Sequence, residues 1–240
     1  MNGAIVNAFS VDVEDWYQVS DFEDQIALED WGRFESRVVP NTRRVLRLLD
    51  EVGVRGTFFI LTWNAERHPS LVEEIAAAGH EVATHGYGHR LVYEQGKDLY
   101  RRDLERSQEI LEGILGYRAL GYRAPSFSVT SKSMWALDVM LETGIEYDSS
   151  IFPVQDSLYG IPGALRFPFV IHSRGDRELI EFPMTTARLG GRNLPLGGGA
   201  YLRILPYAYM RWGMRRVNRE GHPAVVYLHP WELDPEQPRL

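Results

Sequence analysis

Three observations predict an α/β fold built on a parallel barrel or doubly wound sheet. Short apolar runs of strand length alternate with stretches of helical periodicity along most of the chain. Five of those runs give way to a polar residue just where a loop begins. The chain has 240 residues, 44% of them hydrophobic and 25% charged, which suits one soluble domain over residues 1–240 with a sizeable core.

Taken in order, a first strand covers about Ala4 to Val13. A helix follows from Asn41 as N-cap through Val45, Leu46, Leu49 and Val52, and Gly53 stops it. GTFFIL is a buried strand. Pro69 opens the helix SLVEEIAAA and Gly79 closes it. HEVATH is the third strand, and Lys97 to Leu115 reads as an amphipathic helix ended by Gly116. ALGYRAP is a strand, Ser131 to Thr143 a helix ended by Gly144, and GIEYDSSI a strand. Between Phe152 and Leu205 the rhythm fails, and LRFPFVI and ELIEFPM suggest hairpins or a lid. Gly197, Gly198 and Gly199 suit either a mobile lid or a surface connector. Helix returns at Tyr207 to Arg219, and PAVVYL closes the set. WELDPEQPRL after it is polar and proline-rich, so residues 231–240 read as a frayed end.

Composition excludes several functions. The formal net charge is −7, so no basic surface recommends nucleic acid or anionic lipid. There is no cysteine, which rules out disulfides and thiolate ligands and leaves any metal to nitrogen and oxygen. The N-terminus lacks the features of a signal peptide or membrane span, so a cytoplasmic location is the expectation. The oligomeric state is not legible.

The five polar positions carry the chemistry. NAFSV leads into Asp12, GHEVAT into His85 with His89 four residues on, ALGY into Arg123, GIEY into Asp148 and PAVVYL into His229. The carboxyl ends of parallel strands open on one face, where catalytic groups gather. In THGYGH, Gly86 and Gly88 argue against a helix, and a bent loop could fold both imidazoles onto one metal. Alone, the pair also reads as two surface histidines. Asp12, Glu14 and Asp15 place three carboxylates within four residues, which calls for a cation or arginine nearby. Strand alternation puts Asp12 and Glu14 on one face, while Asp15 could reach round if the strand ends at Val13. Two histidines and a carboxylate leave a metal an open position for water, and a second carboxylate can take that water's proton. Arg123 could pair with Asp12 and aim it. Pro125 fixes the turn so that the Ser126 amide can act as an oxyanion donor. His229 is either a satisfied core histidine or a general acid, and Asp148 either orients it or caps the turn at Ser150. Trp16, Tyr17, Tyr87, Phe127 and Trp231 could be core or could stack on sugar rings. His68, His80, His172 and His222 are assigned no chemistry.

Ordered along the chain, SVDVED, THGYGH, RAPSF, YDSS and YLHP resemble the five motifs of the polysaccharide deacetylases, the NodB-homology carbohydrate esterases, over about residues 4–231. DVEDW, LPLGGGAYLRILP and HPWELDP further resemble the subgroup associated with exosortase and exopolysaccharide gene clusters. The resemblance implies a distorted (β/α) barrel with fewer than eight full units. It also implies one divalent ion, zinc or a similar metal, and removal of N-acetyl groups from the amino sugars of a polymer or oligosaccharide. Asp12 then matches the base, His85 and His89 the ligands, Arg123 the residue orienting the base, and His229 the general acid. Val13 stands where the family has a second aspartate, so the third ligand moves to Glu14 or Asp15; Ser126 stands where an aromatic residue is common. Two rivals are a metal-free allantoinase-like amidase of the same fold and a non-catalytic carbohydrate-binding component.

Overall fold

The computed structural model describes residues 5–156 and 159–238; Ala4 and residues 239–240 of the predicted tail lie outside them. The strands are β1 (Ala8–Val13), β2 (Thr57–Ile60), β3 (Glu81–Thr84), β4 (Gly121–Tyr122), β5 (Tyr147–Asp148), β6 (Phe169–Arg174), β7 (Arg177–Glu181), β8 (Thr186–Leu189), β9 (Arg192–Pro195) and β10 (Val225–Leu228). The helices are α1 (Val38–Glu51), α2 (Thr62–Arg67), α3 (Pro69–Ala77), α4 (Lys97–Leu115), α5 (Ala136–Glu142), α6 (Ala200–Ile204) and α7 (Tyr207–Arg219). Eight strands form one sheet in the order β10-β1-β2-β3-β4-β5-β7-β6, and β8 pairs with β9 separately. All neighbours in the large sheet run parallel except the hairpin of β6 and β7. β6 and β10 do not meet, so the sheet is a curled half-barrel, the distorted barrel expected.

The local sequence explains most of these elements. β2 reads TFFI and has no alternation because its sides face helices and barrel interior alike, and Phe58, Phe59 and Ile60 are all buried. α3 starts on Pro69, whose missing N–H costs nothing in a first turn. α4 ends at Gly116, whose φ of 74° is the left-handed cap that glycine adopts without strain. Val11, Val13, Phe58, Ile60 and Val82 pack against Val45, Leu49, Leu71 and Ile75 from α1 and α3 to form the largest core. A second core around α5 holds Leu104, Tyr122, Leu137 and Met140.

Several expectations are corrected. α1 begins at Val38, so Asn41 lies inside it, and its side chain donates to Asp234 (2.9 Å) instead of capping. α5 is shorter than Ser131–Thr143, because residues 131–135 form turns. Residues 231–238 of the predicted tail are not frayed. Leu233 packs on the main core, the Arg44 guanidinium donates to its carbonyl, and Arg37 pairs with Asp234. The glycine run is no free lid among the described residues. Tyr227 N–H donates to the Gly197 carbonyl (2.7 Å), and Gly199 N–H donates to that of Tyr227 (3.3 Å). A Cβ on Gly198 would sit 1.9 Å from the Tyr227 carbonyl oxygen, so only glycine permits the approach. Trp16 and Tyr17 are buried in an aromatic cluster with Trp31 and Trp63 and present no face to a sugar.

Candidate metal and catalytic site

Strand register brings the predicted residues to one level. Thr84 pairs with Tyr122 and Tyr122 with Asp148, so His85, Arg123 and Ser149 each stand one step past the ladder. Val11 pairs with Leu228, which sets Asp12 beside His229. Main-chain bonds continue past the strands, from His85 N–H to Ile60 O (2.9 Å), Arg123 N–H to Thr84 O (3.0 Å) and Ser149 N–H to Tyr122 O (3.0 Å). The backbone thus fixes these side chains before any side-chain contact forms.

Glu14, His85 and His89 come together as a buried triad whose ligand atoms lie within 4.8 Å of one another. His89 Nε2 is 2.9 Å and His85 Nε2 3.9 Å from Glu14 Oε2. Glu14 Oε2 is nevertheless buried without a hydrogen bond of full geometry, its close neighbour being the His89 nitrogen. An orphaned carboxylate oxygen between two imidazole nitrogens is what a cation would satisfy, and two histidines with one carboxylate form a known catalytic zinc set. The residues therefore fit a divalent ion. His85 Nδ1 lies 2.8 Å from the Arg123 carbonyl, which assigns the proton to Nδ1 and leaves Nε2 its lone pair. Burial holds His85 neutral, down to about 4, against the opposing pull of Asp12. Burial would raise the Glu14 carboxyl, but His89, His229 and His85 outweigh it and bring it down to about 2.

The loop carrying both histidines is bent as its glycines suggest. Asp103 accepts the Tyr87 N–H (3.0 Å) with the oxygen that a Cβ on Gly86 would crowd, and His89 takes a positive φ of 52°. Asp15 is excluded from the triad. Its carboxylate accepts the N–H groups of Trp16 (3.1 Å), Arg37 (2.8 Å) and Val38 (3.2 Å), which ties β1 to the start of α1. Of the two candidates for third ligand, only Glu14 is in place.

Arg123 is buried under Phe59, with its guanidinium 4.1 Å from the ring centroid. Its Nη1 donates to Asp12 Oδ1 (2.7 Å) and Ser10 Oγ (2.9 Å), while Nε and Nη2 donate to Ser149. Asp12 is thereby held by one oxygen, and its other faces His229 Nε2 at 4.0 Å. Removing either partner would strand a buried charge, at a cost of about 3–5 kcal/mol. Ser126 and Phe127 take positive φ values of 48° and 53°, unusual outside glycine and typical of functional turns. The Ser126 hydroxyl shares a 2.7 Å hydrogen bond with Ser20, and both residues line the cleft.

His229 Nε2 is 3.4 Å from Glu14 Oε1, the carboxylate oxygen other than the one that faces His85 and His89. Its orienting partner is Glu232, not Asp148. Glu232 Oε1 lies 2.6 Å from His229 Nδ1 and accepts the His229 backbone N–H (3.0 Å). Asp148 instead accepts from Ser150 and sits by Glu181, its register partner on β7; burial pushes both carboxyls up, Asp148 to about 6, so the pair retains a proton. Ser150 also accepts the Ala124 N–H (2.8 Å), so Asp148 steadies the Arg123 loop and not the acid. Burial alone would lower the His229 imidazole, but Glu14, Glu232 and Asp12 lift it to about 9. Trp231 stacks on the ring (5.0 Å between centroids, 15° between planes) and donates its indole N–H to Glu14 Oε1 (3.3 Å). Glu232 was missed from the sequence, although His-Pro-Trp-Glu is a capping-box spacing that could have found it. His80, His172 and His222 are engaged elsewhere, with Gly56, Asp138 and Phe167 respectively.

These groups open on a cleft of about 770 Å³, lined also by Tyr159, Tyr201, Arg203 and Trp231. Fold and site together define an α/β half-barrel protein with a carboxylate–imidazole centre at its strand ends. Residues 30–147 match the family model described as Polysaccharide deacetylase, and residues 149–240 match a domain of unknown function, DUF3473. Residues 30–147 thus carry a domain of the polysaccharide deacetylase, or NodB-homology, type. The first match holds His85, His89 and Arg123, while His229 and Glu232 fall in the second. A peptidoglycan-N-acetylglucosamine deacetylase of Bacillus cereus is 33% identical over 98 residues, 40% of this chain and 36% of that protein. The chain thus matches only about a third to a half of the length of its curated relatives. A solved structure described as a polysaccharide deacetylase from Mycobacterium smegmatis is 26% identical, covers 96% of this chain and 82% of its own, and superposes with a TM-score of 0.63. A family 4 carbohydrate esterase pseudoenzyme from Bacillus anthracis shares the fold at 15% identity and a TM-score of 0.51, over 96% of this chain and 56% of that one. No helix among the described residues is long and apolar enough to cross a membrane.

Proposed function

We propose that the protein is a metal-dependent hydrolase that removes N-acetyl groups from amino-sugar units of a bacterial polysaccharide, in exopolysaccharide biosynthesis. The observation that carries this reading is the orphaned Glu14 Oε2 between His85 and His89, beside a separately held Asp12. The polysaccharide deacetylase match supports the reaction class, and the second matched domain supports the exopolysaccharide subgroup.

Glu14, His85 and His89 would hold the ion, with zinc the first choice for this donor set. When bound, it supplies Lewis acidity to the acetyl carbonyl and makes water a better nucleophile. Asp12, pinned by Arg123 through one oxygen, takes the proton of the attacking water with the other. The Ser126 amide, on its strained turn, donates to the oxygen that gains charge as the water oxygen bonds to the carbonyl carbon. His229, held charged by Glu14 and Glu232, gives its Nε2 proton to the sugar nitrogen as the carbon–nitrogen bond breaks. Acetic acid and the free amine leave, the acid's carboxyl proton passing to the amine so that acetate and an ammonium result, and the proton on Asp12 balances the one that His229 lost. Phe127, Tyr201 and Trp231 line the cleft as aromatic walls for a sugar chain.

Metal analysis of the purified full chain and its His85→Ala/His89→Ala variant, paired with acetate release from N-acetylglucosamine oligosaccharides, tests this. About one ion per chain, lost in the variant together with turnover, is expected. Turnover without metal would favour the metal-free amidase. Metal without turnover on any acetylated sugar would favour the binding component.

A further inference from the structure

The chain-wide charge of −7 conceals a local reversal. Residues 200–219 carry five arginines and no acidic residue. Two of the five are engaged, Arg203 with Glu232 and Arg216 with Glu220. Arg211, Arg215 and Arg219 are exposed and have no acidic partner among the described residues.

The helical arrangement sorts these side chains. Met210, Gly213 and Val217 are the buried stripe of α7, and Gly213 lets the helix lie close on Leu196. On the opposite arc, Tyr207, Arg211 and Arg215 follow at four-residue spacing, with Ala208, Trp212 and Arg219 alongside. At the N-terminal end of that face, α6 adds Leu202 and Ile204. Ile204 is 77% exposed and Tyr207 78%, a large apolar display for one helical corner. An apolar tip of Leu202, Ile204 and Tyr207 backed by unpaired arginines does not match a solvated helix, and two of its three side chains are aliphatic, with neither a ring face nor a hydrogen bond for a sugar.

We infer that the α6–α7 face docks on an anionic lipid bilayer, with Leu202, Ile204 and Tyr207 entering the headgroup layer while Arg211, Arg215 and Arg219 meet lipid phosphates. This is the side-chain sorting of helices that lie in a membrane interface. Tyr201, Arg203 and Ile204 also line the catalytic cleft, so docking sets its mouth at the membrane surface. Only that last consequence rests on the proposed deacetylase reading; binding to lipid does not need it.

Co-sedimentation of the full chain with vesicles tests the inference without any assay of activity. The protein should pellet with equal mixtures of phosphatidylcholine and phosphatidylglycerol, far less with phosphatidylcholine alone, and less as salt rises. Arg211→Glu/Arg215→Glu should weaken partition by on the order of tenfold or more. Ile204→Asp/Tyr207→Asp should abolish it; the altered residues are exposed, and unchanged circular dichroism and melting would confirm folding. The inference fails if the wild type does not pellet with the mixed vesicles, or if both variants bind as the wild type does. It also fails if the wild type self-associates through this face, with the variants monomeric, and shows no vesicle binding. Retention on an acidic polymer such as dextran sulfate without vesicle binding would overturn it too, in favour of a polyanion site.

Discussion

Glu14, His85 and Arg123 stand at the ends of β1, β3 and β4, neighbouring parts of one parallel sheet joined by helices in chain order. His229 reaches them differently. The chain leaves the sheet after β7, makes a separate hairpin, crosses α6 and α7, and only then returns as β10 beside β1. The first group is fully buried and set by main-chain register, whereas His229 has a side chain 18% exposed and is aimed by a glutamate three residues away. On the proposed reading, binding of an ion and donation of a proton therefore belong to separately built halves of the site. Loss of one should leave the other intact.

Replacing Asp12, which bridges the halves, gives the largest expected effect. Asp12→Asn keeps the shape but cannot take a proton, so kcat should fall by ~10²-fold or more while metal content, read by atomic emission, stays near wild type. Loss of the ion in that variant would merge the two halves and assign Asp12 as a ligand. Next comes His229→Ala, for which turnover on acetylated sugars should drop by roughly 10²-fold with metal retained. Aryl acetates, whose leaving groups need no proton, should suffer much less. Equal losses on both substrates would make His229 structural. The smallest effect is expected from Glu232→Gln and is read in the pH profile. His229 serves as a donor only while protonated, below about 9, so activity is lost as pH rises through that value. Removing the Glu232 charge lets burial prevail and should move the alkaline limb to lower pH, with about a tenfold loss near the old limb. An unmoved limb would show that Glu14 and Asp12 alone set the acid.

The first half of the molecule was largely legible in the sequence because its determinants are local. TFFI and EVAT between glycine and proline stops declare β2 and β3, and Lys97–Leu115 was legible as α4 to the residue. Tyr207–Arg219 was equally plain as α7, yet the net charge masked its local excess of arginines. The second half was harder because pairing across distant segments decides it. Nothing near Asp148 announces Glu181, and nothing in WELDPEQPRL announces the Arg37 and Asn41 side chains that fasten Asp234. Trp16 and Tyr17 could be read as core or as sugar contacts, because they follow the end of β1, where strand alternation no longer says which way a side chain points; tertiary packing puts both in an aromatic cluster.

The contact between Gly198 and Tyr227 has a consequence for solubility. An open sheet ends in a strand whose free amides and carbonyls can recruit a strand from another molecule, and β10 is such an end here. The glycine run lies along that border as a narrow ribbon and occupies the Tyr227 amide and carbonyl, which a neighbouring molecule would otherwise pair with. A bulkier ribbon could not lie so close. Gly198→Ala should therefore show itself first as aggregation during expression or storage, before any change in the chemistry of the cleft.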